Sequence, residues 1–228
     1  MTDFLSHIQI KVNSEIYLKD PDSSELGKKI ISNSIEMIDE VGIECFTFKK
    51  LASRIASTEA SIYRYFENKH KLLLYLTAWY WNWLEYRLVF SLANIQSPED
   101  RLKKAIRLLT EEIKEDHDYH HINEIKLSKV VITDSSKAYM HKSVDDENKL
   151  GVFKGYKNLV QRVSDVIKEL SPNYKYPQML VSTIIEGAHH QRFFADHLPN
   201  LTNTFNNEDA ICNFYEEMTL RSLKNHNN

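Results

Sequence analysis

Apolar residues recur at helical spacing along most of the chain. After the turn Lys19-Asp20-Pro21-Asp22, Leu26, Ile30, Ile31, Ile35, Ile38 and Val41 mark one face of a helix. Asp22 and Glu25 stand at capping-box spacing before it, and Gly42 supplies its stop. Thr47 is placed to cap a short second helix with Phe48, Leu51, Ala52 and Ile55 as its apolar positions. The run Ala56-Ser57-Thr58-Glu59 breaks that helix, and Thr58 caps a third carrying Ile62, Tyr63 and Phe66. Asn68 opens a long fourth helix on which Tyr75, Trp79, Trp83, Tyr86 and Phe90 form an aromatic stripe. Pro98 starts a helix expected to reach about His117, and 119–149 reads as one or two shorter helices around Asp134-Ser135-Ser136. Amphipathic helices follow at about 150–170 and 177–196, and a last one ends near Leu223. Ahead of all this, Ile8-Gln9-Ile10-Lys11-Val12 alternates like a strand or an ordered arm.

Composition agrees with an all-α chain. Five Gly and five Pro compare with roughly 16 and 11 at average usage, too few for the turns of a strand-rich fold. Hydrophobic residues make up 42%, enough for a core and against wholesale disorder. Two distant cysteines, Cys45 and Cys212, fit a reducing compartment and make neither a disulfide scaffold nor a four-ligand zinc site. No run of 18 apolar residues and no secretory signal are present, so the expected setting is cytoplasmic, without a membrane.

Charge is distributed unevenly. Residues 1–44 carry four basic and nine acidic side chains, whereas 45–75 carry Lys49, Lys50, Arg54, Arg64, Lys69 and Lys71 against Glu59 and Glu67. One short basic island in an acidic chain attracts a polyanion there and repels it elsewhere. The two short helices with a brief break between them match the spacing of a helix-turn-helix unit.

Within that island, Thr47, Leu51-Ala52, Thr58, Ile62-Tyr63-Arg64-Tyr65-Phe66 and Lys69 closely resemble the DNA-binding domain of TetR/AcrR-family transcriptional repressors. The resemblance covers about residues 25–75. It implies an N-terminal three-helix helix-turn-helix domain followed by a helical ligand-binding and dimerisation domain. The boundaries drawn are an arm over 1–22, the DNA-binding domain over 23–72 and the effector and dimer domain over 73–228. The expected DNA contacts are Thr47, Lys49, Thr58, Glu59, Ala60, Ser61, Tyr63, Arg64, Tyr65 and Lys69, although Tyr65, with Phe66, also reads as packing on the first helix. Arg64 is the best candidate for a guanine, and the capped helix N-termini suit phosphates. Two positions depart from the family. Ala56 stands where the turn usually has Gly, so the turn must close without easy access to positive φ. Glu59 stands where a basic or polar residue is common, and its carboxylate either accepts from cytosine N4 or repels phosphate.

The resemblance further implies a homodimer on a pseudo-palindromic operator, acting as a repressor responsive to an unknown small-molecule effector. Trp79, Trp83, Tyr86, Glu186, His190 and Phe193 are the candidate effector contacts, although the stripe also reads as core and the α-helical polar cluster as solvated. Helices at about 150–170 and 177–196 are the candidate dimer seam. Glu67/His70 and Glu186/His189 have Glu-x-x-His spacing but lack the further glutamates of a di-iron bundle. No G-x-S-x-G, P-loop or Rossmann glycine pattern occurs. The expectation is therefore no metal, no cofactor and no catalytic residue. The rival reading is a helical small-molecule or lipid carrier, or an enzyme, that kept this fold and lost specific DNA binding.

Overall fold

The computed structural model describes residues 10–114, 119, 121–204 and 208–224. Its helices are α1 (Glu25–Cys45), α2 (Phe48–Arg54), α3 (Glu59–Tyr63), α4 (Lys69–Leu92), α5 (Pro98–Thr110), α6 (Glu124–Tyr139), α7 (Val144–Lys149), α8 (Lys154–Leu170), α9 (Pro177–His197) and α10 (Ala210–Lys224). Among the described residues there is no β-strand, so the architecture is all-α as expected. Residues 8 and 9 of the alternating arm lie outside the described residues, and 10–12 have no regular structure.

Packing divides the chain into two compact units, one of residues up to Trp83 with 113–155, the other of 84–112 with 156 onward. The segment with α6 and α7 packs with the N-terminal helices.

In the first unit, α1 is capped by Ser24, whose Oγ accepts the Gly27 N–H at 3.2 Å. Asp22 is not the cap: Pro21 fixes φ and starts a 3-10 turn over Pro21–Ser23, with Asp20 Oδ1 accepting from the Asp22 N–H. That turn lies directly on the first turn of α1. A Cβ at Gly27 would stand 2.1 Å from the Pro21 carbonyl oxygen, so only glycine permits the approach. Gly42 takes φ 73°, and a last short turn to Cys45 follows it. Thr47 and Thr58 are caps, accepting the Lys50 and Ser61 N–H groups at 3.2 Å each. The turn between α2 and α3 does use the left-handed region, and Ala56 itself takes φ 51°. A non-glycine residue pays about 1 kcal/mol there.

Ile30, Ile31, Ile35, Leu51, Ile62, Phe66, Leu72 and Trp79 are buried together with Tyr75, which meets Phe66 edge-on at 5.4 Å. α6 lies along α1. It runs unbroken through 134–136; the bend comes later, at Met140–Ser143. The acidic stripe Glu36, Glu40 and Glu44 on α1 is met by Lys126, Arg54 and Lys137 in turn. Arg54 holds Glu40 bidentately at 2.6 and 2.8 Å, and that hydrogen bond lowers the Glu40 pKa.

In the second unit, α5 packs on α9 and α10 through Leu102, Ala105, Ile106 and Leu109. It ends at Thr110 rather than near His117, because Glu111 turns extended (ψ 158°). Residues 115–118 lie outside the described residues. Arg192 caps this end, its Nε donating to the Thr110 carbonyl at 3.0 Å while Nη2 reaches Asp209 at 2.5 Å. Leu159, Val163, Val166 and Ile167, on the apolar face of α8, are buried. Cys45 is exposed and Cys212 buried, neither in a disulfide.

Candidate nucleic-acid interface

Two capped helices with a four-residue gap present one polar face to solvent. Lys49, Lys50, Ser53 and Arg54 are exposed on α2, and Glu59 and Ala60 on α3, with Tyr63 46% exposed at its end and Arg64 following. The face forms because Phe48, Leu51, Ala52 and Ile62 point the other way into the core, where Phe48 meets Tyr63 edge-on at 5.1 Å. Helical periodicity leaves the polar residues no other direction.

The six basic residues of the island are not equivalent. Arg54 is held by Glu40, and Lys50 Nζ donates to the Cys45 carbonyl at 2.8 Å. Lys69 Nζ donates to the carbonyls of Ile43 and Glu44 at 3.1 and 3.3 Å, tying the end of α1 to the start of α4. Lys71 lies 3.8 Å from Glu147. Lys49 and Arg64 have no ion-pair partner among the described residues. An exposed guanidinium with five donors and no internal acceptor is suited to phosphate or to guanine O6 and N7.

The residues expected at DNA divide accordingly. Thr47, Lys49, Thr58, Glu59, Ala60, Ser61, Tyr63, Arg64 and Lys69 lie on or beside the open face. Ser61 Oγ is 2.8 Å from Thr58 Oγ1, so the two hydroxyls brace the N-terminus of α3. Tyr65 is a correction. It is 3% exposed, its hydroxyl is 2.7 Å from Ser24 Oγ, and its ring lies under Lys19 Nζ. The signal for this was present, since Tyr65 and Phe66 stand three and four positions after buried Ile62 and share its face.

The candidate effector contacts fall in different places. Trp79 and Trp83 belong to the first unit, 1% and 0% exposed and stacked at 6.1 Å, with Tyr119 against Trp79. They are core there. Tyr86, Glu186, His190 and Phe193 belong to the second. Glu186 accepts from the Tyr156 hydroxyl at 3.1 Å, His190 is exposed and stacks on Phe194 at 6.2 Å, and Phe193 meets His197 at 4.5 Å. Neighbouring His189 is buried, and desolvation, with some repulsion from His190, lowers its pKa to about 4. Sequence reasoning missed one cluster, His70 with His141 and Glu147; only contact across distant parts of the chain creates it.

Residues 30–76, spanning most of α1 through the first turns of α4, match the family described as bacterial regulatory proteins, tetR family. This domain belongs to the tetR family. No curated protein matches the chain. Solved structures with the same fold extend past the tetR-family domain. The fatty acid degradation regulator FadR from Bacillus halodurans is 20% identical with a TM-score of 0.59, covering 84% of this chain and 96% of that one. The superantigen PfiT is 15% identical at 0.59, covering 90% and 99%. AibR, solved with isovaleryl coenzyme A and operator DNA, is 12% identical at 0.56, covering 85% and 95%. At these identities the likeness is one of fold. No described helix is long and apolar enough to cross a membrane.

Proposed function

We infer that the protein is a sequence-specific DNA-binding transcriptional regulator, a homodimeric repressor released from its operator by a small-molecule effector. The observation that carries this is the coincidence of the tetR-family match with a capped α2–α3 face on which Arg64 and Lys49 stay uncommitted. α3 enters the major groove, Arg64 reads a base, and Tyr63, Lys49 and the capped N-termini of α2 and α3 hold phosphates. Pairing of the acidic α1 stripe by Lys126, Arg54 and Lys137 supports the approach of a polyanion, since the excess negative charge nearest the face is neutralised.

Dimerisation is assigned to the outward faces of α8 and α9, where Met179 is 67% and Tyr176 55% exposed, and two-fold symmetry then matches a pseudo-palindromic site. The effector is assigned to the second unit, at Tyr86, Glu186, His190 and Phe193, and it must prefer the released state by a few kcal/mol to switch occupancy. The operator complex and acyl-coenzyme A ligand named for AibR support both partners by analogy.

The test is selection from randomised duplexes at two salt concentrations, with the bound fraction sequenced. Enrichment of a two-fold symmetric site is expected. Weak, salt-sensitive binding with no enriched sequence would overturn the reading in favour of a fold retained for ligand binding alone, with Glu59 blocking readout.

A further inference from the structure

A cluster of ligand-type side chains in the first unit lies outside the DNA-facing surface. Its members come from three places: His70 at the second position of α4, His141 in the bend between α6 and α7, and Glu147 on α7. His70 Nε2 is 3.0 Å from Glu147 Oε1, and His141 Nε2 is 3.0 Å from Oε2. One donor atom from each of the three residues falls within 4.8 Å of the others. The two imidazole rings meet edge to face, with centroids 4.4 Å apart and planes at 72°.

The Glu147 side chain is only 8% exposed, and a carboxylate that deep needs its charge and lone pairs answered. They are answered in part. Oε1 has His70 and, farther off, Lys71. Oε2 receives no hydrogen bond among the described residues, because the His141 Nε2 is directed to the Ala138 carbonyl at 3.1 Å. A buried carboxylate with one oxygen lacking a donor, and an imidazole nitrogen 3.0 Å from each oxygen, is short of a cation.

We propose that His70, His141 and Glu147 form a binding site for one divalent ion of the zinc class. Neutral imidazole nitrogen and carboxylate oxygen are its preferred donors, and three protein ligands leave a fourth position for water. Two imidazoles select against Mg2+ and Ca2+, which take oxygen ligands. Donors about 2.0–2.1 Å from a tetrahedral ion stand about 3.3 Å apart, so the 3.0 Å separations open slightly while the widest, within 4.8 Å, closes on the ion. Coordination through His141 Nε2 gives up its 3.1 Å hydrogen bond to the Ala138 carbonyl, puts the ring proton on Nδ1 and gives up the 3.3 Å approach of the Ser143 N–H, which is already long for a hydrogen bond. Lys71, at 3.8 Å, turns aside from the incoming charge. The histidine side chains, 32% and 23% exposed, give the ion a route from solvent. Once bound, it closes a loop of 77 positions between α4 and α7, which stabilises the first unit. The site stands whether or not the chain binds DNA.

The experiment uses the full chain without an affinity tag, stripped by chelator, and titrated calorimetrically with Zn2+ at pH 7.5. Co2+ serves as a parallel probe read by visible absorption. One ion per chain is expected, with a rise in Tm on Zn2+ addition. His141→Ala, at a half-buried loop position, should keep the wild-type circular dichroism while losing at least tenfold in affinity and the Tm rise. His70→Ala should do the same, and His197→Ala should bind like wild type. Absence of saturable one-to-one binding at micromolar Zn2+, or unchanged affinity in folded His141→Ala, would overturn the proposal. So would equal loss in His197→Ala.

Discussion

The α2–α3 face and helix α9 both carry polar side chains at helical spacing, yet they use them differently. On α2–α3 the backbone is fixed by Thr47, Thr58 and a buried row behind it, and Lys49, Tyr63 and Arg64 are left pointing outward. On α9 the polar groups are drawn inward: Glu186 to Tyr156, Arg192 to Thr110 and Asp209, His189 into the core. The first arrangement offers donors to a large external partner. The second holds a helix in place, although Gln178, Thr183, His190, Asp196 and His197 stay exposed along it. A polar residue at helical spacing thus signals recognition only where the neighbouring structure leaves it unspent.

The largest effect should come from breaking the support behind the open face. Gly27→Ala forces a Cβ onto the Pro21 carbonyl, and thermal or urea unfolding should show a loss of about 3 kcal/mol, toward the upper end for overpacking. A smaller loss would mean that the Pro21–Ser23 turn moves freely.

On α9 the corresponding handle is protonation. His189 has its pKa lowered from 6.5 to about 4 in the folded state. The unfolded chain therefore takes up this proton first, and stability falls as pH drops from about 6.5 to 4 by about 2–3 kcal/mol, with nothing further lost above 6.5. Urea midpoints across that range should fall more steeply for wild type than for His189→Phe. Parallel curves would show that His189 is not the group responsible.

Arg64→Ala should leave unfolding unchanged and cost 1–3 kcal/mol, or about 5- to 150-fold, in affinity for the selected site while relaxing preference at one base pair. Lys69→Ala sharpens the contrast. Its ammonium ties two carbonyls at the end of α1, so it should lower Tm as well as weaken binding to all sequences alike. A binding defect without a Tm change would place Lys69 at phosphate only. The smallest effect expected is a gain: Ala56→Gly relieves the residue at φ 51° and should raise stability by about 0.5–1 kcal/mol.

The helices and the caps at Thr47 and Thr58 were legible because periodicity and capping act over three or four residues. The all-α architecture and the helix-turn-helix followed from them. What was not legible depends on contacts between distant positions. Ser24 displaces Asp22 as the α1 cap because Pro21 starts a separate turn. α5 stops at Thr110, where Arg192 caps it. The acidic excess of residues 1–44 is partly answered by Lys126, Arg54 and Lys137, which pair Glu36, Glu40 and Glu44 from distant positions. The meeting of His70 with Glu147 has no local signature at all.

The unequal burial of the two cysteines has a practical side. Cys45 is exposed at the end of α1, next to the carbonyl that Lys50 engages, while Cys212 is buried and desolvation pushes its thiol pKa up, keeping it from forming the reactive thiolate. A maleimide dye should therefore label the native protein once, at Cys45, beside the α2–α3 face. The molecule comes with its own attachment point for a fluorophore that can watch a duplex arrive, with no residue changed.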